Sequence, residues 1–438
     1  MLIRFKVSNY LSFDDIQTLS MISGKTGAHP SHVIKSKQIR LLRASAIYGA
    51  NASGKSNVIK AMRAMRDLVV HNEFMILDTY CRINEDNREK SSLFEVEIQL
   101  DDRAFSYGFE VDIYNQSVVD EWLHELFYDR DSVAIFERTG DNISFDTTNS
   151  DNERMKLYVE DFSGKNDSLF LNFAGSRMNP KKSVFDPIPT VWGWFRDKMV
   201  FPDLNESFKP SDQLNEEYFN RLNELISTYG TGVNKLEYIN RPGAEEMVPK
   251  EVIDKMKKLL MNDRGSMINA QQRRRYGTYY NYRVSMDDSN LRFDEIIYKH
   301  KNGTGFHSGE ESDGTKRLFN VLSNLYVGRD GATIIVDELD LRFHPQVTYR
   351  LLDKFLADNR YSNIQLIFTT HESSLMDFDL LRRDEIWFVE KDDKGVSNLY
   401  SLEDFNERCD RNIEKAYKEG RYGGVPIFST VFPYREDL

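Results

Sequence analysis

Apolar and polar residues repeat with different periods along the chain, and each change of period predicts a new element. The opening MLIRFKVSNYLSF alternates apolar with polar residues and predicts a first strand. The run ASAIY predicts a short buried strand, and KSNVIKAMRAMRDLVV, with apolar residues at helical spacing, predicts the helix that follows. SLFEVEIQLDDRAFSYGFEVD alternates on both sides of an Asp-Asp pair, which predicts a β-hairpin.

The middle of the chain has a different character, because it is polar and poor in glycine. Here PTVWGWFRDKMV, NEEYFNRLNELISTYG and PKEVIDKMKKLLMND predict separate short helices. From about residue 276, YGTYYNYRVSM and LRFDEIIYKHK predict a return to strands. We therefore expect a mostly helical insertion over residues 141–275.

The last third alternates helices with buried strands. TKRLFNVLSNLYV and PQVTYRLLDKFLAD have helical spacing, whereas ATIIVDE and IQLIFTTH are apolar runs of strand length. Strands that alternate with helices indicate a largely parallel sheet with both faces covered. The predicted fold class is α/β, with one lobe over residues 1–140, the insertion over 141–275 and a second lobe over 276–438.

Composition narrows the class of protein. A chain of 438 residues that is 40% hydrophobic and 29% charged is typical of a globular protein of two or three domains. The net charge of −12 argues against a surface that binds nucleic acid everywhere. Two cysteines, no secretion signal and no apolar run near the ~20 residues of a membrane helix predict a cytoplasmic protein without membrane contact.

The stretch YGANASGKSN has the spacing G-x-x-x-x-G-K-S between a predicted strand and a predicted helix. In that setting loop N–H groups and the helix N-terminus converge on phosphate, a lysine reaches the β- and γ-oxygens, and a serine ligates Mg²⁺. Lys55 and Ser56 have these two roles here. The predicted nucleoside triphosphate loop consists of Gly49, Ala50, Asn51, Ala52, Ser53, Gly54, Lys55, Ser56 and Asn57.

Acidic residues end the next buried strand. Asp337, at the end of ATIIVDE, is predicted to hold Mg²⁺ through water, and Glu338 to polarise an attacking water as general base. His371 follows IQLIFTT and is predicted to orient that water beside the γ-phosphate. A histidine at a strand end is often only structural, but the order of loop, carboxylates and histidine favours the catalytic interpretation.

A small polar turn precedes one of the predicted helices. SGEESDGTKRLF places Ser312, Gly314 and Thr315 at the start of an amphipathic helix. A hydroxyl residue followed by glycine is an ordinary N-cap, and it is also a second anion site of the kind found at helix N-termini. Taken alone, the pattern favours the N-cap.

Four motifs, NYLSF, ESDGTKRLF, DELDLRFHPQ and AYKEGRYGGVP, lie near the two ends of the chain. Together they resemble the OLD-like (overcoming lysogenisation defect) and abortive-infection branch of the ABC ATPases, relatives of chromosome-maintenance and recombination-repair ATPases. NYLSF resembles its Asn-Phe-x-Ser-Phe start, and ESDGTKRLF its Glu-Ser-x-Gly-Thr signature. DELDLRFHPQ resembles its Asp-Glu-x-x-x-x-Leu-His-Pro run, and AYKEGRYGGVP its Tyr-x-x-Gly-Arg-Tyr-Gly ending. The resemblance implies an ABC-type ATPase head that uses ATP and Mg²⁺.

The resemblance also implies how the heads assemble. In that superfamily the signature of one chain reaches the γ-phosphate held by another. Ser312, Gly314 and Thr315 would then act in trans within a homodimer or higher oligomer. Two acids, Glu311 and Asp313, replace a leucine and a glycine of the usual signature, and Arg342 replaces a small residue before Phe343-His344-Pro345.

By resemblance, stand-alone ATPases of this kind act in prokaryotic anti-phage or toxin–antitoxin-like systems. The chain would then sense infection, through a phage protein or nucleic acid, and control a separate effector nuclease of the TOPRIM type, as in PARIS-type (phage anti-restriction-induced) systems. Two alternatives stay open: an ATPase that repairs or clamps DNA directly, and an autonomous nuclease under ATP control.

Two weaker signals concern nucleic acid. WFVEKDDKG contains Glu390, Asp392 and Asp393 but no Asp-x-Asp pair for two metals, and a hairpin with an Asp-Lys-Gly turn explains it better. QQRRRYGTYYNYR interleaves arginines with tyrosines, which suits a nucleic-acid patch and equally a β-hairpin with a solvated basic turn.

Overall fold

A computed structural model describes residues 1–36, 39–127, 129–145, 152–178, 187–202, 216–262, 268–273, 279–287, 290–327, 330–358, 363–405 and 413–425. The strands in these ranges are β1 (Leu2–Ser8), β2 (Gln17–Ser20), β3 (Val33–Lys35), β4 (Arg40–Leu42), β5 (Ala44–Tyr48), β6 (Ser92–Leu100), β7 (Arg103–Asp112), β8 (Ser117–Leu126), β9 (Val133–Thr139), β10 (Asn142–Phe145), β11 (Met199–Val200), β12 (Val233–Asn240), β13 (Ile268–Arg273), β14 (Tyr279–Asp287), β15 (Asn290–His300), β16 (Gly305–His307), β17 (Thr333–Val336), β18 (Gln365–Thr369), β19 (Ile386–Lys391) and β20 (Ser397–Ser401). The helices are α1 (Lys55–His71), α2 (Asn152–Phe162), α3 (Phe170–Gly175), α4 (Pro187–Asp197), α5 (Glu216–Ile226), α6 (Lys250–Asn262), α7 (Asp313–Val327), α8 (Pro345–Ala357) and α9 (Ile413–Lys418).

A six-stranded sheet carries the predicted phosphate loop. Its order is β11-β17-β18-β5-β19-β20, and every neighbouring pair is parallel except β19 with β20. Every residue of β5, β17 and β18 is buried, which explains why these strands are continuous apolar runs rather than alternating ones. Because the pairs are parallel, the loop after β5, the acids after β17 and the histidine after β18 emerge at one edge.

A second sheet is antiparallel and has the order β10-β9-β8-β7-β6-β1-β2. The predicted hairpin over residues 92–112 is confirmed, with Leu100 paired to Arg103 around the Asp-Asp turn. Aromatic rings pack against one another on this sheet. The ring centroids of Phe94 and Phe109 are 5.4 Å apart, and those of Tyr107 and Phe195, a residue of α4, are 5.6 Å apart. The predicted α/β class, a largely parallel sheet with an antiparallel β subdomain, is therefore confirmed.

The chain forms two compact units. The first comprises Met1–Phe201, Arg329–Asp340 and Thr348–Leu438, and the second comprises Pro202–Gly328 and Leu341–Val347. The second unit holds a five-stranded antiparallel sheet, in which β12, β15, β14 and β13 follow in order and β16 pairs with β15. These units divide the chain at places other than the predicted limits at residues 140 and 275.

The region 141–275 contains the three predicted helices α4, α5 and α6, but it also contains strands. With α2 and α3, helices make up most of its regular structure, but β12 pairs with β15 and β13 with β14, so the region also holds strands that the expectation of a mostly helical insertion did not include. The reason is visible in β12, a strand at the sheet edge whose residues are mostly half-buried or exposed. Such a strand lacks the strict alternation by which a sequence reveals it.

Within the described ranges, no helix combines the length and the apolar character that crossing a membrane requires.

Candidate nucleotide-binding site

The predicted phosphate loop joins β5 to α1, as the spacing requires. A side chain at Gly49 would clash with the carbonyl oxygen of Val389 in the neighbouring strand β19. Gly54 has φ 112°, in the region that favours glycine, and a side chain there would clash with the hydroxyl of Ser397. Ala52 also has a positive φ, 61°. Both glycines of the motif are therefore required by the backbone, before any phosphate binds.

Lys55 is the first residue of α1 and is only 5% exposed. Its Nζ donates to the carbonyl oxygens of Gly49 at 2.7 Å and Ala50 at 2.9 Å. Burial lowers the pKa of the Lys55 ammonium, and nearby carboxylates, first that of Glu338, oppose this shift. Lys55 thus lies folded over the loop, bonded to two backbone carbonyls whose place phosphate oxygens can take.

Ser56 and Asp337 come together at the edge of the parallel sheet. The Ser56 hydroxyl donates to Asp337 Oδ1 at 3.1 Å, although the two residues are 281 positions apart. This places a hydroxyl and a carboxylate, both hard oxygen donors, side by side next to the lysine of the loop. That donor set suits Mg²⁺, which prefers one or two protein oxygens together with phosphate and water.

Thr369, the last residue of β18, is a site residue that the sequence analysis missed. Its hydroxyl donates to Asp337 Oδ1 at 2.6 Å and accepts the backbone N–H of Glu338 at 2.7 Å. Thr369 therefore fixes both predicted acids from the neighbouring strand. The threonine pair in IFTTH, at a strand end just before His371, is the signal that could have identified it.

Glu338 and His371 lie near each other on the exposed side of the acids. His371 Nε2 is 4.0 Å from Glu338 Oε1, and both side chains are about two-fifths exposed. Glu338 has φ 51°, a strained backbone of the kind that functional sites retain. The backbone N–H of His371 donates to the Asp340 carboxylate, with 3.3 Å to each oxygen, so Asp340 is a second residue that the sequence analysis missed. Its signal is the third acid of DELD.

The loop is supported from behind by the opening motif NYLSF. The Ser12 hydroxyl accepts from Asn57 Nδ2 at 2.8 Å, and Ser397 Oγ lies 2.7 Å from Ser12 Oγ and 2.6 Å from the Ser53 carbonyl oxygen. Asn9 is buried and donates to the carbonyl oxygens of Asn87 and Lys90, each at 2.9 Å. The motif therefore holds the loop in place, with Asn9 as its anchor.

The Gly-Arg-Tyr-Gly motif near the C-terminus also reaches the loop. The Tyr417 hydroxyl donates to the Gly424 carbonyl at 2.9 Å, and Glu390 Oε1 accepts the Gly424 N–H at 3.2 Å. A Cβ at Gly424 would lie 3.5 Å from Gly49 Cα, so segment 413–425 packs against the start of the loop. On its other side, Ser373 after the histidine donates to Glu414 at 3.1 Å.

The predicted signature residues lie in the second compact unit, whereas the loop, the acids and His371 lie in the first. Ser312 caps helix α7: its Oγ accepts the Thr315 N–H at 3.1 Å and lies 2.8 Å from Thr315 Oγ1. Gly314 is in the first turn. Within one chain these residues form the ordinary N-cap. The N-cap leaves room for a contact with phosphate, because the Ser312 hydroxyl can donate a hydrogen bond while its oxygen accepts one.

The weaker signals have structural explanations. Residues 386–401 form the predicted hairpin of β19 and β20, with the Asp392 side chain accepting two N–H groups of its turn, and Glu390 binds segment 413–425. The basic-aromatic stretch forms the strands β13 and β14, the predicted β-hairpin; its central residues 274–278 lie outside the described ranges. Cys409, one of the two cysteines, also lies outside the described ranges.

The strand–loop–helix with its lysine, serine and strand-end acid defines a P-loop type of nucleotide site. In sequence, residues 44–377 match the family described as "AAA domain, putative AbiEii toxin, Type IV TA system". The match spans most of the chain and includes the loop, the acids and His371. The protein belongs to this family.

Other comparisons are more distant. No curated protein matches the chain in sequence. The SMC head domain from Thermotoga maritima is similar at 12% identity and a TM-score of 0.34, with 91% of this chain and 98% of that one covered. An SMC head bound to the C-terminal winged-helix domain of ScpA gives 12% identity, a TM-score of 0.40 and coverage of 92% and 98%. At such low scores these likenesses carry no conclusion about function.

Proposed function

We propose that the chain is an ATPase that binds ATP between ABC-type heads and hydrolyses it slowly as a regulatory switch. The observation that carries the proposal is the contact of Ser56 with Asp337 at 3.1 Å, directly beside the buried Lys55. This contact joins a phosphate loop to a strand-end acid, the pair of features on which P-loop chemistry depends. Membership of the AAA-domain family supports the same proposal.

The residues have separate roles in this proposal. Loop N–H groups and Lys55 bind the β- and γ-phosphates, and Ser56 and Asp337 would hold Mg²⁺, which offsets the negative charge of those phosphates when bound. Glu338 accepts a proton from the attacking water, and His371 orients that water from the other side. Thr369 and Asp340 position these groups through the hydrogen bonds described above.

We further propose that the switch belongs to an abortive-infection or toxin–antitoxin-like system and acts on a separate effector, with a TOPRIM-type nuclease as the expected class. The support is the family description, which names a toxin of a type IV system. Binding of ATP would close the two-chain site, and hydrolysis would reopen it and change the hold on the effector.

The test uses purified full-length chain with Glu338→Gln, Lys55→Ala and a matched control, Lys60→Ala, which removes an exposed lysine from the same helix. Glu338→Gln should bind ATP, lose hydrolysis by on the order of a hundredfold and dimerise with ATP. Lys55→Ala should lose binding, and Lys60→Ala should behave as the parent. Hydrolysis by Glu338→Gln at the parental rate would remove the base assignment.

A further inference from the structure

Two departures from the usual signature pattern are bonded to each other. Asp313 stands where the resemblance places a glycine, and Arg342 stands where it places a small residue. In the structure, Arg342 Nη1 lies 2.9 Å from Asp313 Oδ2, and Lys316 Nζ lies 2.9 Å from Asp313 Oδ1. One carboxylate is therefore held by two cations, all within the second compact unit.

The backbone around Arg342 also helps to hold this ion pair in place. Arg342 has φ 68°, an uncommon conformation for a residue with a side chain. Its carbonyl oxygen approaches Gly314 so closely that a Cβ there would lie only 2.9 Å away. Gly314 thus permits the loop of Arg342 to pack on the first turn of α7, which brings the guanidinium to Asp313.

The charges have opposing effects on the start of α7. Asp313 in the first turn stabilises the helix, because a carboxylate offsets the partial positive charge of the helix N-terminus. The same carboxylate would repel a triphosphate that approaches Ser312 and Gly314. Lys316 and Arg342 oppose this repulsion, because the two cations together with the Asp313 carboxylate carry a net positive charge. The other two acids of this segment bond elsewhere: Glu311 lies 2.6 Å from His300 Nε2, and Glu310 accepts the backbone N–H of His307 at 2.8 Å.

We propose that Arg342 is a positioning residue which, with Lys316, neutralises Asp313 so that the acidic signature accepts the γ-phosphate held by a second copy of the chain. This inference rests on the proposed function, because it presupposes ATP between two heads. It goes further because one of the two cations that pair with Asp313, Arg342, lies outside the signature.

The experiment measures ATP-driven self-association of the full chain in the Glu338→Gln background by analytical ultracentrifugation. The variants are Arg342→Ala, Arg342→Lys, Asp313→Ala and the double variant Asp313→Ala/Arg342→Ala. ATP binding to the monomer is measured in parallel with a fluorescent analogue, to separate loading of the loop from pairing of heads. Thermal unfolding shows whether each variant is folded.

Arg342→Ala should raise the dissociation constant of the ATP-bound dimer by on the order of tenfold, most strongly at low salt, and leave monomer binding unchanged. Arg342→Lys should retain most of the association. The double variant should return to within about twofold of the parent, because the charge to be neutralised is gone. A merely structural role for Arg342 predicts no such rescue.

Two results would overturn this inference without affecting the proposed function. One is that Arg342→Ala self-associates as strongly as the parent, and the other is that the double variant self-associates as weakly as Arg342→Ala. A parent that binds ATP but never self-associates would overturn the sandwich of the proposed function, and this inference with it. The two failures are distinguishable, because the parent and the variant are measured separately.

Discussion

Ser56 and Asp337 belong to elements far apart in sequence, yet the serine hydroxyl donates to the carboxylate across 3.1 Å. The contact exists because β5 and β17 are parallel strands on either side of β18, so that their carboxyl ends lie at the same edge of the sheet. Thr369 at the end of β18 bonds the same carboxylate. Asp337 just after β17, Thr369 at the end of β18 and Ser56 in the helix that follows β5 thereby form one oxygen cluster.

The oxygen cluster predicts that one hydroxyl matters only when Mg²⁺ is present. Ser56→Ala should weaken ATP binding in Mg²⁺ by about tenfold and leave binding in EDTA unchanged, because it removes a metal ligand and no phosphate contact. Ser56→Thr, which keeps the hydroxyl, should bind as the parent. Calorimetric titration with and without Mg²⁺ measures both. An equal loss in the two conditions would contradict the metal role.

Thr369 should act on turnover more than on binding. Thr369→Val keeps the shape but removes the hydroxyl that bonds Asp337 and the Glu338 N–H, so we expect hydrolysis to fall by roughly 10- to 100-fold. Thr348→Val is the matched control, because the Thr348 hydroxyl is buried and has no partner among the described residues. Steady-state phosphate release measures the difference. Similar rates in the two variants would exclude the positioning role.

Gly49 could be predicted from the sequence, whereas Thr369 could not. Gly49, Lys55 and Ser56 follow a spacing that is local, because the loop and helix N-terminus are built from consecutive residues. The positions of Asp337 and His371 at one edge of the sheet could be predicted because each comes within two residues of the end of a buried apolar strand. The α/β class, the hairpin over residues 92–112 and the helices α4 to α8 followed from periodicity in the same way.

The residues that sequence analysis missed depend on pairing between distant strands. Thr369 meets Asp337 only because β18 lies beside β17, with Phe368 opposite Val336. Ser12 and Ser397 meet behind the loop across 385 positions. The periodicity of a single segment carries no information about which distant segment pairs with it. The strands of the middle region were missed for a different reason, because an edge strand with half-exposed residues has no clear alternation.

Proton exchange should accompany nucleotide binding at Lys55. Burial lowers the pKa of this ammonium in the free protein, and the negative charges of a triphosphate favour the ammonium and raise its pKa again. ATP binding at alkaline pH should therefore take up protons. Calorimetry in buffers of different ionisation enthalpy measures this uptake, and a Lys55→Arg variant, always charged, should show less. Proton release by the parent would contradict the assignment.

A buried carboxylate away from the nucleotide site should control stability. Glu121 is fully buried and accepts the N–H groups of Phe170 at 2.7 Å and Leu171 at 2.9 Å, and the Tyr107 hydroxyl at 3.0 Å. Removing it by Glu121→Ala leaves these three donors without their acceptor and takes away the carboxylate that lies 3.6 Å from Arg138 Nη1, which should cost about 3 kcal/mol in the free energy of unfolding.

The pH dependence of this effect has a definite sign. Burial raises the pKa of Glu121 above its ordinary value of 4.5, so the folded protein binds this proton more tightly than the unfolded chain does. The resulting stability is present below pH 4.5 and is lost as pH rises through the raised pKa. Glu121→Gln is neutral at every pH, so the parent should lose stability relative to this variant as pH rises from 4.5 towards neutrality. Urea unfolding of both proteins across that range measures the difference. Parallel profiles would show that Glu121 titrates alike in the folded and unfolded chains, against the burial argument.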